Sequence, residues 1–223
     1  MENQNKIALI TGAGSGIGLA LAKKLLNEGY EVVATTRTGK IEGSVHDNLL
    51  SLALDITDSQ SVAKALSSIK ERGLKFDLLV NNAGVAPDVF ATEPDVISFN
   101  ETLATNLTGT LFLTEALLPY VADGGNVVFI SSNMALMKNA GANGTAYRVS
   151  KAGVNMYAAV LAQRLAERNI RVTPMHPGWV QTRLGSSSAP LTPEQSADAI
   201  YHGIITNTET GKFWNAELRQ IED

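Results

Sequence analysis

From Lys6 to Ala216 the chain alternates short apolar runs with longer stretches whose apolar positions recur at helical spacing. KIALIT (6–11) shows no polar alternation and reads as a buried strand. IGLALAKKLLNEGY (17–30) puts Ile17, Leu21 and Leu25 along one face and meets Gly29 near its end, which predicts a helix and its stop. The same reading finds strands in EVVATTR (31–37), NLLSLALDI (48–56), FDLLVNNAG (76–84), NVVFISSN (126–133), IRVTPMHPGW (170–179) and GKFWNA (211–216). Helical patterns lie between them at 58–70, 93–117, 147–168 and 193–207.

Strands that alternate with helices predict an α/β fold with a parallel sheet covered on both faces. The expected architecture is a single doubly wound (Rossmann) domain over residues 1–223, with a mostly parallel sheet of about seven strands. It divides into a first half of roughly 1–125 and a second of roughly 126–223. In such a sheet a ligand binds beyond the carboxyl ends of the strands. The loops after Thr11, Thr35, Asp55, Val80 and Ile130 are therefore where chemistry is expected.

Composition narrows the classes. A length of 223 residues suits one sizeable core, and 44% hydrophobic with 18% charged residues is ordinary for a globular protein. A net charge of −4 argues against a nucleic-acid partner, which selects a basic face. The chain has no cysteine, so disulfides, thiolate catalysis and Cys-ligated zinc are excluded. His46, His176 and His202 have no ligand-like spacing, and no metal is expected. The first residues do not read as a secretory signal, and no apolar run is long enough to span a membrane, so no membrane partner and a cytoplasmic location are expected.

Candidate chemistry begins with TGAGSGIG (11–18), between a predicted strand and a predicted helix. Side chains there would keep a pyrophosphate from backbone N–H groups and from the positive helix end. Gly12, Gly16 and Gly18 allow a tight turn, close cofactor approach and helix packing. Further on, Tyr147 and Lys151 are four apart on a predicted helix and so share a face.

T-G-x-x-x-G-x-G at this place resembles the short-chain dehydrogenase/reductase family. So do NNAG (81–84), Asn106 in LATNLTG, ISS (130–132), YRVSK (147–151) and PGWVQT (177–182), in the family's order. AYRVSKAGVNM, HPGWVQT, APLTPEQSA and the terminal GKFWN are similar to its small carbonyl-reductase-like branch, which includes sniffer and the bacterial C-factor proteins.

The resemblance implies a catalytic set of Asn106, Ser132, Tyr147 and Lys151. Tyr147 would give a proton to a carbonyl oxygen as hydride arrives, its phenolate favoured by the lysine ammonium and an oxidised nicotinamide. Ser132 would bond the carbonyl, with Ser131 as the rival and fifteen residues from Ser132 to Tyr147, slightly more than the commonest spacing. Asn106 would position a water linking Lys151 to solvent. The cofactor set is Gly12, Ser15, Gly16, Ile17 and Gly18 at the turn, with Asp55 and Ile56 at the adenine. Asn82, Ala83 and Gly84, with Asn81 before them, would line the adenosine side. Tyr147, Lys151, Pro177, Gly178, Val180 and Thr182 would lie near the nicotinamide.

Where an NAD site presents a carboxylate after the second strand, ATTRTGK has Arg37 and no carboxylate before Glu42. An arginine fork pairs with a 2′-phosphate, so NADP(H) is favoured over NAD(H), with Thr36, Thr38 or Lys40 assisting. The implied function is NADPH-dependent reduction of an aldehyde, ketone or quinone to an alcohol. The alternative is an NADP(H)-binding regulatory or signalling protein with little turnover. The partner is a small-molecule carbonyl substrate, and relatives imply a homodimer or homotetramer, with monomers known among carbonyl reductases. Val85, Met134, Leu136, Trp179 and Leu184 follow site motifs but read equally well as packing.

Overall fold

A computed structural model describes residues 6–41 and 46–222. Glu42, the first carboxylate after the second strand, and the residues before Lys6 lie outside it. Strand β1 (Ile7–Ile10) runs between β2 (Glu31–Thr36) and β4 (Phe76–Asn81), parallel to both. With neighbours on both edges and helices on both faces, Ala8, Leu9 and Ile10 are wholly buried, which is why this stretch carries no polar alternation.

The complete order is β3-β2-β1-β4-β5-β6-β7-β8, with β3 (Leu49–Ala53), β5 (Val121–Ile130), β6 (Arg171–His176), β7 (Trp214–Asn215) and β8 (Gln220–Ile221). The sheet has eight strands rather than about seven, because β8 folds back antiparallel on β7. Two residues are too few to show any periodicity in sequence. Strand order reverses between β1 and β4, and this switch point opens the crevice where a doubly wound sheet takes its ligand.

Register sets the level of each loop. Ile10 lies opposite both Ala34 and Val80, so Thr11, Thr35 and Asn81 end three adjacent strands together. Asn81 pairs with Phe129 and Ile130 with Met175, which brings Ser131 and His176 to the same edge.

Helices α1 (Gly16–Asn27) and α6 (Pro193–Thr206) cover one face, where Leu21, Leu25 and Ile200 pack on Ile10 and Val80. Helices α2 (Ser59–Glu71), α4 (Thr110–Leu117) and α5 (Thr145–Arg164) cover the other, packing Ile69, Leu113 and Leu161 against Leu79 and Phe129. Each such fully buried side chain contributes about 1.5–3 kcal/mol relative to exposure.

The predicted helix at 93–117 is divided. Asp95 caps α3 (Val96–Leu103) by accepting the Ser98 N–H at 2.9 Å. A π-helical turn then spans Ala104–Gly109 before α4 begins. At its end a methyl on Gly109 would lie 2.8 Å from the Ile56 carbonyl oxygen, so only glycine lets the turn meet the loop after β3. Helix α5 begins two residues earlier than predicted, at Thr145, where Asp88 Oδ2 accepts the Ala146 N–H at 2.7 Å. It ends at Arg164, and 166–168 is a separate short 3₁₀ turn. Strand β5 starts at Val121 rather than 126, through an irregular pairing with Phe76.

Candidate active site

The turn after β1 is built by glycines that tolerate conformations and distances other residues do not. Gly12 and Gly16 have φ of 66° and 55°, in the left-handed region. A methyl on Gly18 would lie 2.5 Å from both Asn82 Nδ2 and the Gly12 carbonyl oxygen. Thr11 Oγ1 accepts the N–H groups of Asn82 and Ala83 at 2.9 and 3.0 Å. Asn82 Nδ2 in return donates to the carbonyls of Thr11 and Gly12 at 2.9 and 3.1 Å. The two motifs thus form one unit across the switch point. Thr11 opens the glycine motif, and the sequence reading assigned its side chain no role.

This unit lines a cleft of about 910 Å³. Gly12, Ser15, Gly16, Ile17 and Gly18 form its floor, and Asn82, Ala83 and Gly84 its inner wall. Arg37, Asp55 and Ile56 line the far end, together with Thr36, Thr38 and Lys40. Thr182 closes over the turn, with its methyl 3.1 Å from where a Gly16 Cβ would stand. Glu101, Thr105, Gln181 and Arg183 also line the cleft and were not singled out from sequence. Gln181 and Arg183 flank Thr182 of PGWVQT and Thr105 precedes Asn106 in LATNLTG, signals the sequence did offer, whereas Glu101 belongs to no motif.

Arg37 is exposed, and its positive charge helps hold the Asp55 carboxyl below the usual range. The larger cause there is Thr57, whose hydroxyl and N–H both donate to Asp55 Oδ1, at 2.7 and 2.9 Å. Glycines that a Cβ would fill, a helix N-terminus beneath them and a cation at the far end together suit a phosphorylated dinucleotide.

Beyond β5 the two serines part ways. Ser131 is buried and its hydroxyl donates to Asn155 Oδ1 on α5 at 2.6 Å. Ser132 Oγ accepts the Met134 N–H at 3.1 Å and lies close enough to the Tyr147 hydroxyl to influence its titration. Tyr147 is held protonated: burial raises its pKa above 10.0, and the Ser132 hydroxyl offsets only part of that. The expected lowering by the lysine is not a feature of the protein alone. One helical turn on, Lys151 Nζ donates to the Ile130 carbonyl at 2.8 Å and lies 5.8 Å from the Tyr147 ring centre. Burial lowers its pKa to about 8.

Asn106, in the π-helical turn, has its side chain fully engaged. Its Oδ1 accepts the Val85 N–H at 2.8 Å, while Nδ2 donates to the Val85 carbonyl at 2.8 Å and to Ser150 Oγ at 3.1 Å. These bonds clamp the segment after NNAG to α5, and a Cβ on Gly84 would lie 3.2 Å from Asn106 Oδ1 and 3.6 Å from Lys151 Nζ, so the amide and the ammonium share one neighbourhood. Asn81 is buried at the end of β4 and is not part of the cleft wall. Pro177, Gly178 and Val180, like Ser132, Tyr147 and Lys151, are not among the residues that line this cleft. The Pro177 carbonyl accepts from Ser196 at 2.7 Å, Gly178 at φ 88° packs on Leu191, and Val180 bridges to Leu191.

Among the described residues no group of His, Asp or Glu is arranged to hold a metal, and no helix is long and apolar enough to cross a membrane.

Residues 6–191 match the model of the short chain dehydrogenase family. An uncharacterized oxidoreductase of Staphylococcus saprophyticus is 31% identical over 221 residues, covering 92% of this chain and 93% of its own. Among solved structures, the NADPH-bound carbonyl reductase from chicken fatty liver superposes with a TM-score of 0.89 at 29% identity, covering 98% of each chain. The carbonyl reductase Sniffer of D. melanogaster gives 0.85 at 27% identity, covering 96% of this chain and 97% of that one.

Proposed function

The chain belongs to the short-chain dehydrogenase family, as an oxidoreductase with a carbonyl-reductase-like fold, and from that premise we propose that it reduces aldehydes, ketones or quinones with NADPH. The observation that carries this reading is Ser132 beside the Tyr147 hydroxyl, with Lys151 one helical turn away and its Nζ 3.6 Å from where a Cβ on the cleft residue Gly84 would stand.

In this reading Gly12, Ser15, Gly16, Ile17 and Gly18 receive the cofactor's pyrophosphate on backbone N–H groups and the α1 N-terminus. Arg37, with Thr38 and Lys40, pairs with the 2′-phosphate, and Asp55 and Ile56 take the adenine. Lys151 holds the nicotinamide ribose, and Pro177, Gly178, Val180 and Thr182 shape the chain around the ring. When bound, NADPH supplies the hydride. Ser132 orients the carbonyl oxygen and stabilises the negative charge that develops on it. Tyr147, kept protonated by burial, delivers its proton to that oxygen. Lys151 then stabilises the phenolate until it takes a proton back.

Asn106 acts in this scheme by fixing Val85 and Ser150. A homodimer or homotetramer assembled through α4 and α5 would cover the exposed Phe112, Val149 and Met156.

The test follows NADPH consumption with a panel of aldehydes, ketones and quinones, using wild type beside Tyr147→Phe. Turnover by wild type that the substitution abolishes supports the reading. Tight NADPH binding without turnover would instead favour the regulatory alternative, and equal turnover by both proteins would remove Tyr147 as proton donor.

A further inference from the structure

Between Ser132 and Tyr147 the chain has little backbone structure of its own. Before α5 starts at Thr145, only two three-residue 3₁₀ turns form there, at Asn133–Ala135 and Met137–Asn139. Yet Ser132 Oγ must face Tyr147, and its own partner in the segment is the Met134 N–H. Something outside the segment has to hold it.

Asn143 Nδ2 and the Gly144 N–H tie its far end to the carbonyls of Val89 and Ala91, and two side chains reach the residues next to Ser132. Arg148, next to Tyr147 on α5, spends its guanidinium on the segment. Its Nε donates to the Asn143 carbonyl at 2.7 Å and Nη2 to Asn143 Oδ1 at 3.3 Å. Its Nη1 donates to the Asn139 carbonyl at 2.8 Å and the Met134 carbonyl at 3.2 Å. His176, the last residue of β6, is buried, and its Nδ1 accepts the Asn133 N–H at 3.3 Å. Asn133 and Met134, the two residues after Ser132, are therefore each fixed to an element of the rigid scaffold. Asn139 adds an internal tie, its Nδ2 donating to the Asn133 carbonyl at 2.9 Å.

We propose that Arg148 and His176 are positioning residues, a two-point clamp on the segment after Ser132 that sets the serine hydroxyl against Tyr147. The inference rests on the reading above, in which Ser132 and Tyr147 are the reacting pair. Arg148 suits the task because a planar fork can serve three carbonyls at fixed angles, with bonds strengthened by its charge. Lysine offers a point charge and cannot span the same acceptors. Gly141 belongs to the arrangement, since a methyl there would stand 2.6 Å from Arg148 Nη2.

The experiment compares wild type with Arg148→Ala, Arg148→Lys and His176→Phe, measuring kcat and KM for a carbonyl substrate, the NADPH Kd and amide hydrogen exchange. Arg148→Ala and His176→Phe are each expected to lower kcat about tenfold or more while the NADPH Kd stays within about twofold, since only the segment after Ser132 loses its support. Exchange should quicken at 133–143 and stay slow in the glycine turn. Added guanidinium ion should restore much of the Arg148→Ala rate, and Arg148→Lys should restore less.

If Arg148→Ala does not fold, Gly141→Ala displaces the guanidinium without removing it and should quicken exchange in the same segment. Unchanged kcat, or exchange that quickens throughout together with lost NADPH affinity, would overturn the clamp. A wild type with no turnover would overturn the reading of Ser132 and Tyr147 and the clamp's catalytic purpose with it. Exchange would still report whether the clamp holds the segment.

Discussion

The Lys151 ammonium donates at 2.8 Å to the carbonyl of Ile130, the last residue of β5 and two positions before Ser132. This bond ties the helix that carries Tyr147 to the strand that carries Ser132. It also places a cation inside the protein, with the Tyr147 ring 5.8 Å away and no carboxylate among the described residues to neutralise it.

Burying a charge with so little compensation costs stability. The Lys151 pKa falls from 10.5 to about 8 in the folded protein, so the unfolded chain binds the extra proton between those values. Wild-type stability therefore rises as pH increases from about 8 to about 10.5. Lys151→Met should raise the stability of the cofactor-free protein at neutral pH by about 1–3 kcal/mol, lose that alkaline rise and abolish reduction. Thermal melts across pH, set beside the rate assay, check all three.

His176 titrates in the opposite part of the range. Burial depresses its pKa from 6.5 to about 4, so it is neutral when folded and charges more readily when unfolded. Its contribution is complete above about pH 6.5 and is lost as pH falls toward about 4. The shift corresponds to a loss of about 3 kcal/mol. Denaturant unfolding at stepped pH should show that slope for wild type, and a shallower one for His176→Phe.

Gly18→Ala should be damaging despite the small change. The added methyl meets Asn82 Nδ2 and the Gly12 carbonyl at 2.5 Å, and Asn82 is already bonded to Thr11 and Gly12. Overpacking of this kind costs about 1–3 kcal/mol. A lowered Tm with NADPH affinity reduced more steeply than stability is the expected result.

Arg37→Ala tests cofactor choice. Losing the cation at the far end of the cleft should weaken NADPH binding about tenfold or more and leave NADH nearly unaffected, because only the former presents a 2′-phosphate. Equal loss for both cofactors would assign Arg37 to general electrostatics.

Much of the fold was legible because local pattern and global topology agree in this chain. A strand such as IALI, buried on both faces, must be uniformly apolar, and an amphipathic helix must repeat every third or fourth residue. Where the structure departs from the pattern, non-local contact explains it. The helix at 93–117 keeps its periodicity, yet close approach of Gly109 to Ile56 and the bonds of Asn106 to Val85 and Ser150 accompany a π-helical turn. Strand β8 exists only because β7 offers it an edge.

The candidate site divides in the same way. Its glycines, Tyr147 and Lys151 could be read from sequence because backbone conformation and helical spacing are local properties. Ser131 and Ser132 could not be separated that way. They are adjacent and chemically identical, and only α5 packed against the end of β5 gives one to Asn155 and the other to Tyr147. Arg148 and His176 are likewise unremarkable along the chain. The register of β5 and β6, with Ile130 opposite Met175, brings His176 to the Ser132 segment from one side while α5 brings Arg148 from the other. By itself the sequence determined the sheet, its glycine turn and the residue types available for catalysis, since these follow from short-range sterics and burial. Tertiary structure alone decided which hydroxyl meets Tyr147 and which charges are buried, because both depend on side chains brought together from distant parts of the chain.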